Sequence, residues 1–252
     1  MFDVEIQSHA VVFNARLSVS FQRTRRLAAQ QLPYPPPSSL GALPVHGTAQ
    51  YKGRIPHEWM LPVGVFLPIV PGEAFWIGFR GSESKPVAVK VAIEKLDAIS
   101  GTAWHEGLND DPQDYLVCPP QRSLDGVHAE GQLARQFVAA KSETKAEKKP
   151  SSGPMRILVY DAKEGRFSET QPTRSSLTPD VLHSFGQISV RPGSLVAQNI
   201  LIDPHGIECW DQRNFASLFV YWVYPDHYHA ITGQEPPGPA SESEGYKGHL
   251  LP

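Results

Sequence analysis

Apolar and polar residues alternate with a period of two along much of this chain. Between residues 86 and 94, Val87, Val89, Val91 and Ile93 share one face, and Ala88, Lys90, Ala92 and Glu94 the other. That spacing predicts a half-buried β-strand. Residues 73–79 form a short aromatic run, and Gly81-Ser82-Glu83-Ser84 between the two is turn chemistry. The two runs are therefore expected to pair as a hairpin. From 11 to 21, Val11, Phe13, Ala15, Leu17, Val19 and Phe21 oppose Val12, Asn14, Arg16, Ser18 and Ser20. This predicts one strand with a greasy face and a mostly polar face, at the outside of a sandwich.

Further strands are expected at 96–99, 115–118, 133–139, 156–161, 187–190, 195–202 and 215–224. In the last, Phe215, Phe219, Tyr221 and Val223 oppose Leu218, Val220 and Trp222. A strand apolar on both faces belongs at the centre of a sheet, its second face covered by a loop or another subunit. Trp76 and Val89 are expected among the most buried residues. Residues 55–59 predict a helical turn anchored by Trp59, and Leu124-Asp125-Gly126-Val127 a turn.

Twenty-four prolines and twenty glycines favour short strands and many loops over long helices. Pro33, Pro35, Pro36 and Pro37 exclude regular structure from 32–44. Residues 141–154 are charged and almost free of apolar side chains, which predicts a mobile insertion, and 169–179 a second flexible connection. The fold expected is all-β, mainly antiparallel: one β-sandwich domain over 1–232 with long loops and little helix. A tail rich in Pro, Gly and Ser follows over 233–252.

Charge narrows the partners. A net charge of −3 over 252 residues offers no general argument for nucleic acid or a membrane surface. No run approaches the ~20 apolar residues of a membrane span. The first ten residues lack the basic and apolar regions of a signal peptide, so a cytoplasmic protein is expected. Two cysteines, Cys118 and Cys209, are too few for a disulfide framework. They read best as inert core thiols, with pairing left open.

The order of segments resembles a family of uncharacterised conserved β-rich proteins. The likeness is carried by Phe21-Gln22-Arg23-Thr24, Pro56-His57-Glu58-Trp59, Glu73-Ala74-Phe75-Trp76 and the segment from Asp97 to Gly101. It continues through Gln113-Asp114-Tyr115, Leu124-Asp125-Gly126, Arg135-Gln136-Phe137-Val138 and Ile231-Thr232-Gly233-Gln234-Glu235-Pro236-Pro237. Arg122-Ser123 departs from the Pro-Trp usual there before Leu-Asp-Gly. The resemblance implies a β-sandwich and attaches no activity to it.

The densest group of chemically capable residues is Asp203, His205, Glu208 and Asp211 around Cys209 and Trp210. Such residues could line a surface cleft, but their spacing matches no zinc or calcium template, so no metal and no cofactor is expected. His227 and His229 would share a face if extended, although Tyr224-Pro225-Asp226 favours a turn. Trp104-His105-Glu106 and Asn109-Asp110-Asp111 bring a base and carboxylates together without a partner nucleophile. Arg23, Arg25 and Arg26 could hold an anion, but read first as a solvated strand end. The leading expectation is a non-enzymatic β-sandwich that binds a protein partner or copies of itself. The alternatives are a metal-dependent or small-molecule enzyme using 203–211, and a carbohydrate-binding module.

Overall fold

The computed structural model describes residues 2–28, 34–141, 154–163 and 188–238. All but the two end residues of the expected insertion at 141–154, the connection at 169–179 and most of the tail lie outside these. In chain order the first strands are β1 (Val4–Gln7), β2 (Ala10–Phe13), β3 (Leu17–Thr24), β4 (His46–Gly47) and β5 (Gly64–Pro68). They are followed by β6 (Ala74–Gly81), β7 (Val87–Ile93), β8 (Leu96–Asp97), β9 (Leu116–Cys118) and β10 (Ser123–Leu124). The last are β11 (Gly126–Glu130), β12 (Leu133–Lys141), β13 (Met155–Ala162), β14 (Ile188–Ala197) and β15 (Trp210–Val223). One α-helix, α1 (Pro225–Thr232), follows β15, starting on Pro225 and ending at Gly233 in the left-handed region, φ 72°.

The first sheet runs β1-β2-β3-β6-β12-β11, with β10 beside β6 and β14 beside β12; the second runs β4-β5-β15-β13-β7-β8, with β9 beside β7. Ladders are antiparallel except β5 with β15. The protein is all-β, as the alternation predicts. The two sheets share one apolar core. The first contributes Leu17, Val19, Phe21, Phe75, Ile77 and Phe137; the second contributes Val65, Val89, Val91, Ile157, Val159, Leu218, Val220 and Trp222.

Several expectations change. The runs at 73–79 and 86–94 do not form a hairpin: β6 pairs with β3, and β7 pairs with β13. A period of two says that both strands face the core, not that they face it from one sheet. Gly81 makes the crossing possible, since a Cβ there would lie 2.7 Å from the Cys118 carbonyl oxygen. The single strand expected over 11–21 is a hairpin, with Asn14 and Ala15 at φ 50° and 52°. Its three-residue turn places Phe13 opposite Leu17, an even separation, so the alternation runs through the turn unbroken.

Val89 is fully buried, but Trp76 is only half-buried. In β6 it is Phe75 and Ile77 that enter the core, which puts Trp76 on the outer side. The turn expected at 124–127 is instead a break between two strands. Asp125 is buried there, and Gln198 Oε1 accepts the amides of Asp125 and Gly126. At Gly126 a Cβ would meet the Arg135 carbonyl oxygen at 2.1 Å, so no other residue fits the same backbone.

The second face of β15 is covered by the chain itself. Tyr221 stacks on Trp59 at 4.5 Å, and Phe219, Val223, Tyr228 and Ile231 complete that cluster. Leu108, Tyr115, Cys209 and Trp210 cover Ala88, Leu158 and Tyr160 farther along the same sheet. Cys118 and Cys209 are both buried thiols not joined to each other, Cys118 between the sheets and Cys209 under the outer loops. Burial pushes the Cys118 thiol far up, which makes it unreactive. No helix among the described residues is long and apolar enough to cross a membrane.

Candidate functional site

The loop before β15 does not converge its carboxylates. Asp203 turns inward: its Oδ2 accepts from Tyr115 Oη at 2.7 Å and from Trp210 Nε1 at 2.8 Å, and its Oδ1 from the His205 amide at 2.8 Å. Asp203 thus ties the loop to two buried aromatics. Glu208 points away and meets Lys163 at 3.4 Å, with 87% of its side chain exposed. Asp211 Oδ1 accepts from the Arg213 amide, and the exposed His205 ring lies edge-on to Trp210 at 5.8 Å. No group of three or more His, Cys, Asp or Glu able to hold a metal ion occurs among the described residues. We therefore predict that a chelator leaves the melting temperature unchanged. A fall of several degrees, restored by one divalent ion, would establish a structural metal.

His227 and His229 lie on α1, not on a strand, and a spacing of two turns them to different sides of a helix. His227 packs edge-on to Tyr224, and His229 Nδ1 lies 3.2 Å from the Gln234 carbonyl.

A sealed charged cluster sits on the outer side of β7. Lys90 is completely buried, with Nζ 2.5 Å from Asp114 Oδ2, 2.7 Å from the Gly107 carbonyl and 3.8 Å from Asp97 Oδ2. The Trp104 ring lies 5.3 Å away. His105 Nε2 reaches the same Asp114 oxygen at 3.0 Å while half its side chain stays in solvent. The expected polar face of this strand is therefore interior, because residues 104–115 lie over it. The pattern could not reveal this: a lysine on a half-buried strand has the same spacing whether or not a distant loop covers it.

A polar concavity lies at one end of the sheets. A pocket of about 540 Å³ is lined by His9, Arg23, His46, Tyr228, Gln234 and Glu235, with Leu40 to Ala42 on its rim. His46 is held on β4 by a ring stack on Phe66 at 5.4 Å and by the edges of Tyr51 and Tyr228. Its Nε2 lies 2.8 Å from Tyr228 Oη and its Nδ1 3.2 Å from Tyr51 Oη. Tyr228 Oη donates to Gln234 Oε1 at 3.2 Å, so it has no proton left for the imidazole. That order assigns the proton to Nε2 and makes Nδ1 an acceptor from Tyr51. Desolvation, with His9 nearby, lowers the pKa of His46 and keeps the ring neutral.

Arg23 closes the inner wall. Its Nη2 donates to Glu73 Oε1 at 2.6 Å and to the Gly238 carbonyl at 2.8 Å. Its Nε is buried without a hydrogen-bond partner among the described residues. The expectation of a solvated strand end at Arg23 is thus corrected: β3 is inside the first sheet and Glu73 meets the arginine across the 70–73 turn. His46 carried no sequence signal, since a histidine beside Gly47 in a two-residue strand belongs to no recognisable motif.

No protein-family model, no curated protein and no solved structure matches this chain.

Proposed function

We propose that the protein is a non-enzymatic β-sandwich binding module whose ligand is a small polar molecule held in the pocket beside His46. The observation that carries this reading is the combination of access and fixed hydrogen-bonding groups in that one place. Preformed concave sites with a few convergent polar groups are the usual form of small-ligand sites. The neutral His46 has both ring nitrogens engaged by tyrosines, which suits it to a fixed wall better than to proton abstraction. Lys90, by contrast, is sealed from any substrate.

A protein partner is the second reading, and a specific surface favours it. Ile202 is 86% exposed and Leu201 37%, beside a groove of about 520 Å³ that Ile99, His128 and Asn199 help to line. Self-association through β15 loses its motive, since the chain covers both faces of that strand. Three of the five tryptophans, Trp59, Trp210 and Trp222, are buried, which leaves the sugar-stacking reading with little support from them.

Protein-observed NMR against a library of small polar compounds tests the reading. Amide shifts are expected to cluster at Ser8, His9, Gly41, His46 and Gln234. Tyr228→Phe, which breaks the relay to Gln234, should weaken binding about tenfold, the cost of roughly one hydrogen bond. Shifts confined to 199–211, or turnover of a bound compound, would overturn it.

A further inference from the structure

The sealed cluster on β7 has a charge count that does not balance. It holds one amino group, Lys90, and two carboxyl groups, Asp97 and Asp114, at 0%, 0% and 2% side-chain exposure. Asp114 is fully engaged, by Lys90, His105 and the Asn109 amide. Asp97 is engaged on one side only: Oδ1 accepts from the Ile99 and Ser100 amides and from Ser100 Oγ. Its Oδ2 is buried without a hydrogen-bond partner among the described residues, beyond hydrogen-bond reach of Lys90. An ionised oxygen in that position is costly, and a protonated one removes the excess charge.

We propose that Lys90, Asp97, Asp114 and His105 form a proton-operated latch on residues 102–114, tight when Asp97 is protonated and loosened when it ionises. The lid is also held at its two ends: the Asp97 amide donates to the Thr102 carbonyl, the Trp104 amide to the Lys95 carbonyl, and Gln113 bonds the Leu201 carbonyl and the Asp203 amide. Lys90 donates to the Gly107 carbonyl, the Leu108 amide donates to Gln212 Oε1, and Tyr160 Oη donates to the Glu106 carbonyl. Lys90 and Asp114 therefore tie the same stretch to the sheet that an unbalanced charge would repel. The other ionisable groups facing the cluster are His105 and Glu106 of the lid, and Arg156 and Tyr160 of β13. Arg156 and Glu106 pair at 2.8 Å and cancel each other. Burial raises Tyr160 well beyond the range concerned. His105 is open to water and shares the Asp114 oxygen with Lys90.

Burial pushes the Asp97 carboxyl up to about 6, against the pull of the Ser100 amide and Lys90. The folded value lies above the ordinary one of 3.8, so the latch is fully tight below that and loses strength as pH rises through about 6. If opening of the lid returns Asp97 to its ordinary value, closure weakens roughly tenfold between pH 5 and 7.5.

Native-state hydrogen exchange of the intact chain tests this. After correction for the intrinsic rate, protection of the Leu108, Asn109 and Asp114 amides is expected to fall about tenfold from pH 5 to 7.5, relative to the amides of β13. Asp97→Asn should make the lid's protection independent of pH, and His105→Gln should keep the dependence. Unchanged protection in the native chain, or a dependence that survives Asp97→Asn or disappears in His105→Gln, overturns the latch. Should Asp97→Asn fail to fold, a carbon-13 titration of the native carboxyls decides. An Asp97 midpoint well above the ordinary range supports the latch, and one at the ordinary value sinks it.

Discussion

Replacing Lys90 with methionine is expected to destabilise the protein by about 3–5 kcal/mol at neutral pH, the usual cost of removing one partner from a buried ion pair. Methionine preserves the stem's volume, so the loss does not come from a cavity. It comes from leaving Asp114 and Asp97 in the interior without a cation, and the Gly107 carbonyl without its donor. The sign of the pH dependence follows. Both carboxylates are easier to bury once protonated, so the variant should recover part of the loss as pH falls from neutral toward the ordinary carboxylate range. Adding Asp114→Asn to Lys90→Met should restore more stability than the sum of the single effects allows. Urea denaturation monitored by tryptophan fluorescence measures all of these. A Lys90→Met variant within about 1 kcal/mol of the native chain would show that the lysine escapes to solvent and the cluster is not sealed.

Trp222→Ala is expected to cost a similar amount, about 3–5 kcal/mol, by a different route. Trp222 lies between the sheets, its ring 4.3 Å from that of Phe75 and edge-on to Phe21 at 5.6 Å. Truncation removes the contact that joins the centre of one sheet to the centre of the other. The surrounding residues are on ladders held from both sides, so they cannot close the space, and the cavity term adds to the lost transfer energy. Trp76→Ala makes the control. Trp76 is half-buried on the outer side of β6 and should lose less than half as much. Equal losses for the two tryptophans would mean that the inward and outward faces of β6 are assigned the wrong way round.

The residue pattern identifies the inner faces well. Val87, Val89, Val91 and Ile93 lie in the core, as do Leu218, Val220 and Trp222, with Phe219, Tyr221 and Val223 on the other side of β15. These follow from local stereochemistry, because successive side chains of an extended chain point to opposite sides. Trp59 likewise anchors a short helical turn, His57–Trp59, where the residues predict one. Pairing was less legible. Nothing in residues 73–94 distinguishes a hairpin from a crossing between two sheets, since each strand needs only an apolar face and a bend between them.

The candidate sites show the same division. Asp203, His205, Glu208 and Asp211 are close in sequence, yet one ties aromatics, one pairs with a lysine and two remain at the surface. His46, Arg23 and Tyr228 are far apart in sequence and line one pocket. The sequence alone determines that the chain is all-β, which strand faces are apolar, and that β15 needs cover on both sides. Only the tertiary structure decides what provides that cover, which strands pair, and whether a given polar side chain is wet or sealed. Lys90 is the clearest case: its place on the strand is set by the period of two, but its burial is set by residues 104–115, whose contact with it depends on the whole chain closing. Side-chain alternation is a property of two neighbouring residues, whereas desolvation is a property of everything packed around them.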